Sequence, residues 1–271
     1  DRFHMAGEWV VGGFEAKGIA YGFVLIALGN LASKNWRWVW PWLGAAAAFH
    51  VLVGGWAMIA CGFAWLITQL TTTQKLGEIL NAARQQAPAL AAGCSLALIG
   101  ALPPLLSDQS APPEVTVAAR SIYVNHRIAH HLTFDAFPTL HIARFAFLAI
   151  VCWLLNRWIN CCTDSLQQKL HPLFLFAGGS LWICFGGLLL SGFAEQGRGA
   201  SPLSENLLRF YWFRLADFAI PAVVAIASCA VVGNWLVKSR LRSTQITCVA
   251  LASLIGTAFA IAVVENPQDI R

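Results

Sequence analysis

Long apolar runs alternate along the chain with short polar stretches. Runs of about 20 apolar residues are the mark of membrane-crossing helices. They fall at roughly 13–32, 87–106, 139–158, 172–193, 207–237 and 246–264. A further stretch, 38–70, has 33 residues and no charge. As one helix it would measure about 50 Å at 1.5 Å per residue, against a hydrocarbon core about 30 Å thick. Either one tilted helix protrudes, or the stretch breaks into two short passes. Gly54-Gly55, just after His50, is the expected breaking point, since paired glycines weaken a helix. His50 itself reads as a buried, hydrogen-bonded histidine beside that break.

The distribution of positive charge favours two passes. Eight spans with both ends outside put Lys34, Arg37, Lys75, Arg84, Arg157, Lys169, Lys238, Arg240 and Arg242 in cytoplasmic loops. That is nine basic residues against two acidic ones, Glu78 and Asp164. One pass over 38–70 leaves seven spans and spoils the segregation. The expected fold is therefore all-α, a polytopic transmembrane helix bundle of about eight passes. It forms a single domain over 1–271.

Composition agrees. The chain is 58% hydrophobic and 11% charged, with a mean hydropathy of +0.62. Soluble domains hold about 45–50% apolar and roughly 25% charged residues. A soluble globule and a disordered chain are excluded. So is a nucleic-acid binder, because the net charge of +5 is spread over short loops. Six cysteines lie in apolar runs and the adjacent Cys161 and Cys162 in a cytoplasmic loop, so no outer disulfide framework is expected. Trp36, Trp38, Trp40, Trp42, Trp153 and Trp158 form an aromatic belt at the cytoplasmic ends of spans. The chain opens on Asp1 without a signal-peptide pattern, and further sequence upstream is expected.

Polar residues concentrate in three outer segments. The longest loop, 107–138, opens on the turn signals Pro103-Pro104 and Pro112-Pro113. It then predicts an amphipathic helix over 114–132, lying on the outer surface. At 100° per residue, Val115, Ala118, Ile122 and Ala129 share one face. Arg120, Arg127 and His131 share the other, with His130 beside them. Two arginines and two histidines suit a phosphate or pyrophosphate. His126, His130 and His131 also spell H-x-x-x-H-H, which resembles one histidine box of the membrane di-iron desaturases. That pattern keeps a divalent metal open as an alternative, although no cofactor is expected. The second segment, 206–221, brings Arg209, Arg214 and Asp217 into a run that enters the bilayer. Arg214 and Asp217, three apart, can pair on one helix face. The third, 1–17, holds Glu8 and Glu15, either of which could act as a base.

Four phrases, G-G-F-E-A-K-G-I-A-Y-G-F (12–23), A-F-H-V-L-V-G-G-W-A (48–57), I-Y-V-N-H-R-I-A-H-H-L (122–132) and L-R-F-Y-W-F-R-L-A-D-F-A-I-P (208–221), carry a resemblance. Together they resemble a family of large bacterial multi-pass membrane proteins with a conserved domain of unassigned function. The resemblance implies an inner-membrane protein of greater length and transfers no mechanism. A looser, architectural likeness is to the polyprenyl-phosphate-sugar glycosyltransferases.

Three functional readings follow. In a glycosyltransferase-like enzyme, Arg120, Arg127, His130, His131, Arg209 and Arg214 would hold a lipid-linked phosphate. Asp217, Glu8 or Glu15 would activate the acceptor. In a transporter or channel, the Arg214–Asp217 pair and the broken pass would line a path. In a metal oxidoreductase, the histidines would be ligands. Membrane lipids and a lipid-linked phosphate are the expected partners.

Overall fold

The computed structural model describes Met5 and residues 15–73, 75–107, 112–162, 164–194 and 202–238. Among them every regular element is helical. In order these are α1 (Ala16–Ala32), α2 (Trp36–Phe49), α3 (Val51–Thr72), α4 (Leu76–Ser107) and α5 (Pro113–Ile122). A π-helical turn (Tyr123–Arg127), α6 (Ala129–Leu132) and a 3-10 turn (Phe134–Ala136) follow. Then come α7 (Thr139–Cys162), α8 (Asp164–Ala194), α9 (Pro202–Leu208) and α10 (Arg214–Lys238).

Five helical stretches among the described residues are long and apolar enough to cross a membrane: Val51–Thr72, Leu76–Pro103, Thr139–Cys161, Leu166–Gly192 and Arg214–Asn234. They are compatible with an integral membrane protein. Helix α1, with 17 residues, is a shorter apolar helix, and the expected span at 246–264 lies outside the described residues. By its contacts the chain divides into two units, Asp1–Ile226 and Ala227–Arg271. The second is described as far as Lys238, over the last turns of α10.

The 38–70 stretch is two helices, and the break falls at His50. His50 has extended backbone (φ −148°, ψ 98°) and its Nδ1 faces the Val53 N–H at 3.3 Å, capping α3. The glycine pair lies inside α3 and serves packing instead. A Cβ on Gly54 would fall on the backbone of Ala47 in α2, so its absence lets the two helices fold back closely. The same device joins α2 to α4. A Cβ on Gly44 would strike the Gly93 backbone, one on Gly93 the Trp40 carbonyl, and one on Gly100 the Ala47 carbonyl.

Three local expectations are corrected. Pro103-Pro104 does not end α4, which runs on to Ser107. The 114–132 segment is not one helix. Its π turn, closed by Ile128 N–H to the Tyr123 carbonyl at 3.2 Å, inserts an extra residue and shifts the phase. Val124 in the turn and Leu132 beyond it are buried, whereas Val115, Ala118 and Ile122 before it are exposed, so the expected apolar face does not continue through the segment. The 207–237 run is also divided. Helix α9 stops at Leu208, and Tyr211 at φ 54° turns the chain before α10 begins at Arg214. Bulky residues rarely hold positive φ, so this corner must be fixed by its surroundings.

Candidate functional site

Two of the polar segments singled out above pack against each other. Val124 and Leu132 bury against Leu208, and Tyr123, Ile128, Leu190 and Tyr211 close around them. On one flank, Glu205 of α9 is buried. It accepts from Ser121 Oγ at 3.1 Å and from Asn125 Nδ2 at 2.8 Å. On the other, the hydroxyls of Tyr123 and Tyr211 meet at 2.9 Å. Phe134 N–H donates to the buried Ser191 Oγ at 2.8 Å, tying the following 3-10 turn to α8.

The 209–213 corner is held by its aromatic rings. Trp56 of α3 donates Nε1–H to the Phe210 carbonyl at 2.7 Å, and Trp212 donates to the Leu207 carbonyl at 2.7 Å. The two indoles lie 4.7 Å apart. Gly186 and Gly187 of α8 leave the room that Trp212 occupies, since a Cβ on Gly187 would lie 2.5 Å from the Trp212 Cβ. Phe213 meets Phe137 edge-on at 5.0 Å. These satisfied backbone groups allow an irregular turn where two helices would otherwise run together.

Arg214 emerges from this corner at the first position of α10. Its guanidinium lies 3.9 Å from the centre of the Tyr211 ring, and its Nη1 is 3.1 Å from His50 Nε2. A cation stacked on an aromatic face is attracted by the ring's negative surface. Arg214, Tyr211 and Tyr123 thus form a continuous chain from α10 to the π turn. Asp217, one turn further on, is buried and accepts the Met5 N–H at 2.7 Å. The two residues expected to pair therefore each have a separate partner.

Arg209 lies over the Phe210 ring at 5.1 Å. Arg120 is half-buried, and its Nε is enclosed with no acceptor among the described residues. Arg127 is exposed in the π turn. The His130 and His131 rings lie 4.0 Å apart. Partial burial, and then the charge of His131, hold the His130 imidazole below its ordinary value of 6.5. Glu15 is exposed at the start of α1, with Lys17 Nζ at 3.7 Å. Glu8 lies outside the described residues. Among the described residues no group of three histidine, cysteine or acidic side chains could hold a metal ion.

Glu205, Tyr123 and Tyr211 were not legible as site residues. One usable signal was rarity: the chain has three tyrosines, and two of them meet here. The chain matches no protein-family model, no curated protein and no solved structure. Function therefore rests on the residues themselves.

Proposed function

We propose that this is a multi-pass membrane protein that binds a phosphate-bearing lipid at the junction of 120–132 with 205–214. The chemistry fits a glycosyltransferase-like enzyme using a lipid-phosphate-sugar donor. One observation carries the reading. Arg214 is held on Tyr211, whose hydroxyl reaches Tyr123, so two segments rich in arginine and histidine share one end of the bundle. The enclosed Nε of Arg120 adds a donor suited to an anion. Fixed cations of this kind stabilise a departing phosphate, and a carboxylate, for which Asp217, Glu8 and Glu15 are the candidates, would take the acceptor's proton.

In this reading the chain makes eight passes with both ends outside, and the junction would lie on the outer face of a bacterial inner membrane. Labelling of a Gln74→Cys variant on intact cells tests that side. Modification from outside would overturn it. Binding is tested with a polyprenyl monophosphate in phosphatidylcholine nanodiscs, with inorganic phosphate as the lipid-free control. Arg214→Gln should weaken binding about 10- to 100-fold, the range of a lost charge-assisted hydrogen bond of about 1.5–3 kcal/mol. Unchanged affinity would remove Arg214 from the site.

A transporter is the second reading. The helix break at His50, with Arg214 beside it, supports it, since broken helices flank substrate sites in many transporters. Uptake of phosphate by proteoliposomes without product formation would decide for it.

A further inference from the structure

Glu205 is 7% exposed, and one of its two carboxylate oxygens takes both of the hydrogen bonds described above. Ser121 Oγ and Asn125 Nδ2 each donate to Oε1. Asn125 Nδ2 also reaches Ser121 Oγ at 3.2 Å, which closes a triangle of polar atoms. Oε2 makes no hydrogen bond among the described residues and is not sealed from solvent. The Asn125 amide turns its nitrogen into the triangle, so its Oδ1 is left on the far side as an acceptor. An ionised carboxylate and an amide oxygen only accept. The trio therefore presents two unspent acceptors and a negative charge. Arg120, next to Ser121 in α5, is half-buried and forms no ion pair with Glu205 among the described residues. Its enclosed Nε is an unspent donor.

We infer that Glu205 Oε2 and Asn125 Oδ1 receive the hydroxyl groups of a phosphodiester headgroup, a sugar or other polyol, whose phosphate lies on Arg120. This rests on the phosphate site proposed above and adds the headgroup to it. Phosphate brings acceptors to the unspent guanidinium N–H. Hydroxyls bring donors to the unspent oxygens, so one ligand satisfies both. Hydrogen bonds to charged groups are the stronger kind, and a buried group without a partner carries a desolvation cost. A ligand with hydroxyls recovers that cost, and a bare phosphate does not. Charge sharpens the choice. A phosphodiester carries a single negative charge, whereas a phosphate monoester carries about 1.5–2 at neutral pH. Glu205 therefore repels the monoester more strongly. It acts as a specificity residue, favouring a lipid-phosphate-sugar over the lipid monophosphate left when the sugar has gone.

Binding to the protein in phosphatidylcholine nanodiscs tests this with two matched pairs of ligands. The lipid pair is polyprenyl phosphate glucose and polyprenyl monophosphate. The lipid-free pair is glucose 1-phosphate and inorganic phosphate. In the wild type the glucose-bearing lipid should bind about tenfold tighter or more, the range of a hydrogen bond to a charged group. A preference in both pairs would show that the headgroup alone suffices. One confined to the lipid pair would identify a membrane-borne ligand. Glu205→Gln can keep its amide oxygen on Ser121 and Asn125 and put Nε2 in the place of Oε2, which turns an acceptor into a donor. It should remove most of the preference, weakening the glucose lipid while the monophosphate binds as well or better. Equal weakening of both lipids would mark a structural role and overturn the inference. If Glu205→Gln does not fold, Asn125→Ala at its exposed position takes its place. It should lower the same preference about threefold or more, the size of a neutral hydrogen bond. Equal binding of the two lipids by the wild type, or an unchanged preference in the variant, overturns the headgroup site and leaves the phosphate site standing. If neither lipid binds the wild type, the phosphate site itself falls and the headgroup site with it.

Discussion

Where α2 crosses α4, glycines let two backbones touch; where α5 and the π turn meet α9, side chains do the joining. At the first contact Gly44, Gly93 and Gly100 occupy positions where a single added carbon would strike a neighbouring backbone. At the second, Glu205 gathers Ser121 and Asn125, and Tyr123 meets Tyr211. Dispersion over a close, smooth surface holds the first. Directional bonds in a low-dielectric setting hold the second, and each buried group there depends on its partner. The smooth contact tolerates no added volume. The polar one tolerates changes of size but no loss of an acceptor.

That contrast can be broken in order of expected effect. Gly93→Leu should be the most damaging change, at about 3 kcal/mol or more, because backbone atoms cannot step aside as a side chain can. Thermal unfolding in detergent would measure it, and a loss below 1 kcal/mol would mean that α2 and α4 can separate at small cost. Glu205→Ala should come next, at about 1–3 kcal/mol, by leaving Ser121 and Asn125 without their shared acceptor. Glu205→Gln keeps an acceptor oxygen and should recover most of that loss. Tyr123→Phe removes one hydroxyl contact and should cost about 0.5–1.5 kcal/mol. Equal losses for Glu205→Ala and Glu205→Gln would show that charge, not acceptance, holds the π turn.

The smallest effect concerns His130. Its folded-state pKa lies below 6.5, so the unfolded chain binds the proton more readily. The stability from neutral His130 is present above pH 6.5 and is lost as pH falls through the lowered value. His131→Ala removes the secondary, charge-based cause and should bring the His130 midpoint back toward 6.5 in an NMR titration. A midpoint that does not move would assign the whole shift to burial.

Much of the helical architecture was legible, and the exceptions have physical causes. The run at 139–158 is α7, and that at 172–193 lies within α8, because uninterrupted apolar residues leave no other way to satisfy the backbone in lipid. The break in 38–70 was legible too, but its position was not. Glycine content pointed to Gly54, whereas the cap formed by His50 decides the matter. The corner at Tyr211 was hidden because its residue type argues against a positive φ. Glu205 was hidden for another reason: its partners Ser121 and Asn125 lie 84 and 80 positions away, and no local spacing marks such a site.

The hydrogen bond from Met5 to Asp217 has a consequence in time. Its donor and acceptor are separated by 212 positions. A ribosome working at roughly 5–20 residues per second needs about 10–40 s to cover that distance. Throughout that interval the segment carrying Met5 is already made, yet its carboxylate does not exist. His50 likewise waits for Arg214, 164 positions later. Helices α1, α2 and α4 pack mainly on one another and can assemble well before either bond is available, whereas α3 also packs extensively on the later α8. The junction that carries the candidate site is thus among the last parts of the molecule to close during biosynthesis. A ribosome stalled before Asp217 would display α1, α2 and α4 packed together and the Met5 N–H still without its carboxylate.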